Sequence, residues 1–390
     1  IIHNFSICNI GEMKFYHRST SNAPLIFVIF AFVCSILYIH NSRNQASLRK
    51  FSLDKSDKSR THRRLEFTPT PSKLNISNPL GIAWLLSFPN SGTTYTHSLV
   101  HKTSKRNVAN NYGTVVELPN GQLVRNFFPS MPVFEGRSNG PFLSTNLPLP
   151  DKYILTKTHC GGYCTTCSPG KYFMKKFNFL MHCLTGYKYT PPKNDGQPGC
   201  CGEHEMVRYD GGLVKKAVHL VRDPFDNVMA RFHHEYKLST KRNEDFVKQH
   251  DYDESGALKW CQGLNDRFEK QELEWFEVMK DFMDVPCRSE FFKYVQWHNH
   301  AIFTVKQMEI DTLVVHYKDF HDDFDKTVTN LMNFLELEIE DVPPKFFYHT
   351  YPEVFTPKQV ERIWEFMTAV ADDDTKALIS GYRYKTKEKI

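Results

Sequence analysis

Gly81-Ile82-Ala83-Trp84-Leu85-Leu86-Ser87 is a continuous apolar run that breaks at Pro89-Asn90-Ser91-Gly92, and no other stretch limits the possible folds as much. A short uninterrupted apolar run is the pattern of a strand covered on both faces. From Thr93 to Lys102 the sequence suits a helix, with Thr93 or Thr94 near its N-cap. The unit reads as strand, tight loop, helix.

Three further apolar runs repeat the arrangement. Tyr153-Ile154-Leu155-Thr156 leads into Lys157-Thr158-His159. Ala217-Val218-His219-Leu220-Val221 leads into Arg222-Asp223-Pro224 and a helix reaching about Tyr236. Thr312-Leu313-Val314-Val315-His316 ends at Tyr317, ahead of a helix over about Asp322 to Leu335. Buried strands alternating with helices predict an α/β fold, a central parallel sheet flanked by helices, with right-handed crossovers. Ligands of such sheets bind beyond the carboxyl ends of the strands. All four polar clusters fall there.

The first cluster has the chemistry of an anion cradle. A glycine-containing turn ahead of a helix exposes backbone N–H groups, and the helix N-terminus adds positive potential. Ser91, Thr93 and Thr94 add hydroxyl donors. An ordinary strand-to-helix turn is the plainer alternative. A nucleotide-hydrolase P-loop is excluded, because Gly92 is followed by Thr93-Thr94 rather than by Lys-Ser/Thr.

The loop resembles the 5′-phosphosulfate loop of sulfotransferases, whose usual form is Pro-Lys-Ser-Gly-Thr-Thr-Trp. Pro89, Ser91, Gly92, Thr93 and Thr94 match, Tyr95 stands for Trp, and Asn90 takes the place of Lys. His219 to His234 resembles the family's 3′-phosphate motif: Arg222 matches its Arg, while Ala230 occupies the place of its Ser. The resemblance leaves that second contact to a neighbour such as Arg231. Lys157-Thr158-His159 is similar to the Lys-Thr-His whose His is the base in the cytosolic branch. Tyr317-Lys318-Asp319-Phe320 is similar to a Tyr-Glu-Asp-Leu segment whose Tyr packs near the adenine, and Gly381-Tyr382 is similar to the end of membrane-bound members.

The resemblance spans about residues 81 to 385 and implies a P-loop nucleotide-hydrolase-like sulfotransferase fold over 79–390. It also implies 3′-phosphoadenosine 5′-phosphosulfate as donor. The donor would be held by Pro89, Asn90, Ser91, Gly92, Thr93, Thr94, Tyr95, Arg222, Arg231 and Tyr317. His159 would be the general base and Lys157 a stabiliser of the leaving oxygen. Glu117 or Glu135 is the alternative base, since many membrane-bound members use a carboxylate. No metal is expected, because no carboxylate pair presents itself. The losses at Asn90 and Ala230 keep open a catalytically inactive nucleotide- or glycan-binding protein with the same fold.

The N-terminus bears on compartment. Ala23 to Ile39 is about seventeen residues without charge, the short end of a membrane span. Polar sequence follows and offers a core helix nothing to pack against, so 23–40 reads as a signal anchor, with a cleaved signal peptide as the alternative. Residues 1–22 then form a short cytoplasmic tail, in which Met13 is a plausible start. Residues 41–78 form a flexible stem bearing the sequon Asn75-Ile76-Ser77. Such an anchor predicts a single-pass type II Golgi protein with a luminal catalytic domain. Its acceptor would be a hydroxyl on a glycan or protein.

Eight of the ten cysteines follow the anchor: Cys160, Cys164, Cys167, Cys183, Cys200, Cys201, Cys261 and Cys287. In an oxidising compartment they predict disulfides of undetermined connectivity. Cys160-x-x-x-Cys164-x-x-Cys167 also has the spacing of an iron–sulfur loop, or of a zinc site with His182. The net charge of +5 gives no ground for nucleic-acid binding. The inserts at 104–150 and 160–212 are expected to shape the acceptor pocket.

Overall fold

The structure is a computed structural model and describes residues 80–111, 115–117, 123–125, 131–134, 149–158, 160–161, 172–190, 203–242 and 244–383. The expected tail, anchor, stem and Asn75 lie outside these residues, as do Glu135, His159, Cys164, Cys167, Cys200 and Cys201. No helix among the described residues is long and apolar enough to cross a membrane.

The chain runs from β1 (Gly81–Ser87) through α1 (Thr93–Ser104), β2 (Ala109–Asn110), β3 (Val115–Glu117), β4 (Leu123–Arg125) and β5 (Met131–Pro132) to β6 (Tyr153–Lys157). Then come α2 (Lys176–Cys183), β7 (Thr185–Thr190), β8 (Glu203–Arg208), β9 (Val214–Val221), α3 (Pro224–Arg242) and α4 (Glu244–Gln249). α5 (Glu254–Trp275), α6 (Arg288–Gln307), β10 (Asp311–His316), the short α7 (Asp319–Asp322) and α8 (Phe324–Leu335) follow. After an irregular stretch the described chain closes with α9 (Pro357–Val370) and α10 (Asp373–Ser380).

Six strands form one sheet in the order β10-β9-β1-β6-β2-β5, and every pairing within it is parallel. The four strands expected from apolar runs are all in it. β2 and β5 extend it on one side; strands of two residues leave no periodic pattern to read. The β3–β4 and β7–β8 pairs are antiparallel ribbons within the two inserts.

β1 shows why its sequence is apolar throughout. Side chains alternate between faces of a strand, and both faces of this one are covered. Ile82, Trp84 and Leu86 join a cluster with Phe291, Val295 and Trp297 of α6. Ala83 and Leu85 join another with Leu99 and Val100 of α1 and Val328, Leu331 and Leu335 of α8. Fully burying each large side chain contributes about 1.5–3 kcal/mol. Trp84 also donates its indole N–H to the Tyr209 hydroxyl at 2.8 Å, so burial leaves no orphaned donor.

Register then aligns the functional ends. Leu85 pairs with Lys157, Ser87 with Leu220, and His316 with Val221. The loops leaving β1, β6, β9 and β10 therefore emerge at one edge of the sheet. Two disulfides, Cys160–Cys183 and Cys261–Cys287, close loops of 23 and 26 residues, for which chain entropy gives about 3 kcal/mol each. Cys160 is thereby taken from the metal alternative. Among the described residues no group of three His, Cys, Asp or Glu could hold a metal ion.

Behind β9 lies a buried imidazole pair, His219 Nε2 and His298 Nδ1 at 2.8 Å. Burial, then the nearby His316, holds His219 down to about 3, and burial holds His298 well below its usual value. Between about pH 6.5 and pH 3 the unfolded chain therefore binds protons that the folded chain refuses. Stability contributed by the neutral pair is present above pH 6.5 and lost as pH falls. The double variant His219→Leu/His298→Leu should lose less stability than wild type between pH 7 and pH 4, read as the shift of the urea midpoint.

Candidate functional site

The loop after β1 takes a path that only certain residues allow. Asn90 and Gly92 both have positive φ, 66° and 97°. Asn tolerates the left-handed region better than most side chains, and Gly pays nothing there. A Cβ on Gly92 would also lie 2.5 Å from Cδ2 of Tyr317, so glycine lets that ring close on the loop. Gly92 itself, rather than Thr93 or Thr94, is the N-cap of α1, and no side chain caps the helix. Thr93 Oγ1 is occupied with Ser87 Oγ at 2.5 Å. The first N–H groups of a helix have no intrahelical partner, and at α1 they sit at the carboxyl edge of the sheet.

Two side chains from elsewhere hold the loop, and a third ties the start of α1 to a distant segment. Asn227, in the first turn of α3, donates to the Pro89 carbonyl at 2.9 Å and to Ser91 Oγ at 3.1 Å. Arg222, just past β9, donates Nη1 to the Asn90 carbonyl at 2.8 Å. Tyr95 donates its hydroxyl to the Pro344 carbonyl at 2.8 Å and packs against Phe320 and Phe346. Thr94 is exposed on the helix start.

Arg222 is 5% exposed, and its Nε has no hydrogen-bond partner. Nη2 reaches the His349 carbonyl at 3.3 Å, and the guanidinium lies 4.4 Å from the centre of the Tyr317 ring. Asp223, the obvious ion-pair partner in sequence, instead accepts the N–H of Phe225 at the start of α3. The Arg222 carbonyl accepts the Tyr294 hydroxyl at 2.6 Å. Tyr317 is pinned through its own N–H on the Val221 carbonyl at 2.7 Å.

Arg231, on α3, packs against the residue that precedes the loop. It is 3% exposed, its Nε donates to Glu290, and its guanidinium lies 4.9 Å from the Phe88 ring centre. Lys293 donates to the same carboxylate at 2.7 Å. Burial pushes Glu290 up, but Arg231 and Lys293 outweigh it and bring it down to about 2. The structure thus places Arg231 in a buried charge cluster beneath the loop.

Lys157 ends β6, and burial pushes its ammonium down from 10.5 to about 8. The next residue, Thr158, donates to the Cys183 carbonyl at 2.8 Å and accepts from Asn111 at 2.9 Å. With the Cys160–Cys183 bond, these contacts fix the chain on both sides of position 159. Of the alternative bases, Glu117 lies on β3.

Asn227 and Tyr294 were not marked by sequence reasoning. Asn227 had one available signal: a polar residue on the first turn of an otherwise buried helix, four after Asp223. Tyr294 had none, because it lies 72 positions from Arg222.

Together these features define a parallel α/β protein whose sheet ends in an uncapped helix start, a left-handed loop and a buried arginine. No family model matches the chain, and no curated protein matches it. Among solved structures the chain is similar to a sulfotransferase from Alicyclobacillus acidocaldarius. Identity is 12% over 78% of this chain and 99% of that one, with a TM-score of 0.36. At that level the similarity carries no argument about chemistry.

Replacing Asn227 by Leu would strand the Pro89 carbonyl and the Ser91 hydroxyl. An unsatisfied buried polar group costs about 1–3 kcal/mol, so Asn227→Leu should lower stability by that amount in denaturant titration. Asn227→Asp, which keeps the shape but not the donor, should be comparably unstable.

Proposed function

We propose that the chain is a sulfotransferase that moves a sulfuryl group from 3′-phosphoadenosine 5′-phosphosulfate to a hydroxyl of a glycan or protein. The observation that carries this is the convergence, at one sheet edge, of the Pro89–Thr94 loop and Arg222 with its unpartnered Nε. A donor with anionic groups at both ends of a nucleoside suits two separate anion-binding elements. The residues present fit it: the α1 start and loop for the 5′-phosphosulfate, Arg222 for the 3′-phosphate, and the Tyr317 ring beside the base.

The donor supplies a sulfuryl group whose departure leaves negative charge on the nucleotide oxygen. Donors fixed before the reaction stabilise such charge without reorganisation. Lys157, with its proton held less firmly than usual, is suited to place positive charge there. His159 is the residue we assign to take the proton of the acceptor hydroxyl, following Lys157 and Thr158 at the end of β6. Two disulfides support an oxidising compartment, in line with a Golgi anchor at 23–40 and a luminal domain.

A second reading, a nucleotide-binding protein without transfer, draws on Asn90. A neutral side chain stands where the resemblance expects Lys, and Ala230 is buried with no hydroxyl to offer. Binding of adenosine 3′,5′-bisphosphate and transfer of radiolabelled sulfate to a mixed glycan and protein extract separate the two. Transfer is the expected result. Binding without transfer favours the second reading, and absence of both removes the donor site altogether. Arg222→Ala should weaken bisphosphate binding by about 2 kcal/mol, as for a lost hydrogen bond to a charged group. His159→Ala should lower turnover on the order of 10²–10⁴-fold with binding kept.

Lys157 carries its own pH signature. At pH 7 it is charged in both folded and unfolded chains, so its burial penalty is fully present. Above about 8 the folded chain releases the proton, whereas the unfolded chain keeps it to about 10.5, and the penalty fades. Lys157→Met should therefore raise the melting temperature at pH 7, by a gain on the order of 1–3 kcal/mol. That gain should shrink towards pH 10, while transfer is lost at every pH.

A further inference from the structure

Each Nη group of Arg222 donates to one backbone carbonyl, and its buried Nε is unpartnered. The guanidinium lies between two rings, 4.4 Å from the centre of Tyr317 and 5.5 Å from that of Tyr351. Tyr351 in turn contacts two imidazoles. His233 lies 5.0 Å from its ring centre and His349 lies 4.9 Å from it.

His233 stands three residues after Ala230 on α3, the spacing that puts side chains on one helix face. Lys237 follows four residues later on that face. Tyr252 packs against His233 from the other side at 4.5 Å. Burial, then Lys237 and His349, lowers the affinity of His233 for a proton. Three basic groups therefore repel one another beside an arginine with a spare donor. Carboxylates also face this region. Asp223 is engaged on the Phe225 N–H, and Asp226 lies 3.5 Å from the Tyr348 hydroxyl. Burial, aided by these carboxylates, keeps Tyr348 neutral, with its pKa raised. Arg231, on the same helix, is paired with Glu290.

We propose that binding of a phosphate monoester at Arg222 is coupled to protonation of His233, with His349 and Lys237 completing a basic rim around the phosphate. This rests on the donor-site reading above. An incoming dianion offsets the repulsion among His233, His349 and Lys237, so the bound His233 takes up a proton that the free protein leaves in solvent. Affinity for the 3′-phosphate then rises as pH falls.

The test is calorimetric titration of the full chain with adenosine 3′,5′-bisphosphate and with adenosine 5′-monophosphate at pH 6, 7 and 8. Wild type should bind the bisphosphate about tenfold more tightly at pH 6 than at pH 8, inside the limit of about 100-fold that one proton taken up over two pH units sets. In His233→Gln that slope should reverse to binding about twofold weaker at pH 6 than at pH 8, because the phosphate's own second ionisation near pH 6 leaves less dianion there. His349→Gln, at an exposed position that leaves folding intact, should lower affinity for the bisphosphate. The monophosphate should show no difference between variants. Equal pH slopes for the bisphosphate in wild type and His233→Gln would overturn the coupling while leaving the donor site standing. Failure of wild type to bind either nucleotide would overturn both.

Discussion

Asn227 donates to the Pro89 carbonyl and the Ser91 hydroxyl, and through these two bonds the helix after β9 shapes the loop after β1. That loop turns through positive φ at Asn90 and Gly92 and so cannot satisfy its own polar groups by regular pairing. Donors must come from other segments. Arg222 supplies a third bond from the end of β9, and Tyr317, from the end of β10, fills the space that a side chain on Gly92 would take. The ends of β1, β9 and β10 thus depend on one another. A shift in any of them would open the cradle.

The polar interior beneath the loop has a corresponding cost. Glu290 is fully buried with Arg231 and Lys293, and Glu272 is buried with Arg288 and Tyr172. Buried ion pairs often contribute little net stability, because desolvation offsets their attraction. Here one of them sits under Phe88, whose ring faces Arg231, Tyr294 and Trp297. Such a cluster, packed on Phe88, fixes the floor of the loop in one arrangement.

Much of this was legible in sequence because burial on both faces writes a continuous apolar run. β1, β6, β9 and β10 were each visible as such runs, as were the polar residues at their ends. β2 and β5 were not, since two residues pair by position in the sheet rather than by pattern. α3 runs on to Arg242, beyond the expected end near Tyr236, because Lys237 to Arg242 contains no breaker and its exposed face needs no apolar period. The helix cap was misplaced by one or two residues: a threonine is the usual cap, but the left-handed turn at Gly92 moves the boundary. Residues 344–351, which bring Pro344, His349 and Tyr351 to the site, carry no periodicity and left no signal in the sequence.

The order of strand, loop and helix and the placement of Lys157, Arg222 and Tyr317 at strand ends follow from the sequence alone. They are local patterns, set by burial and by the turn chemistry of neighbouring residues. Tertiary structure decided which distant groups complete them. It placed Asn227 on the loop, Tyr294 on the Arg222 carbonyl, Cys183 on Cys160, and Arg231 on Glu290. Contacts across long separations depend on register and packing, which no local pattern records.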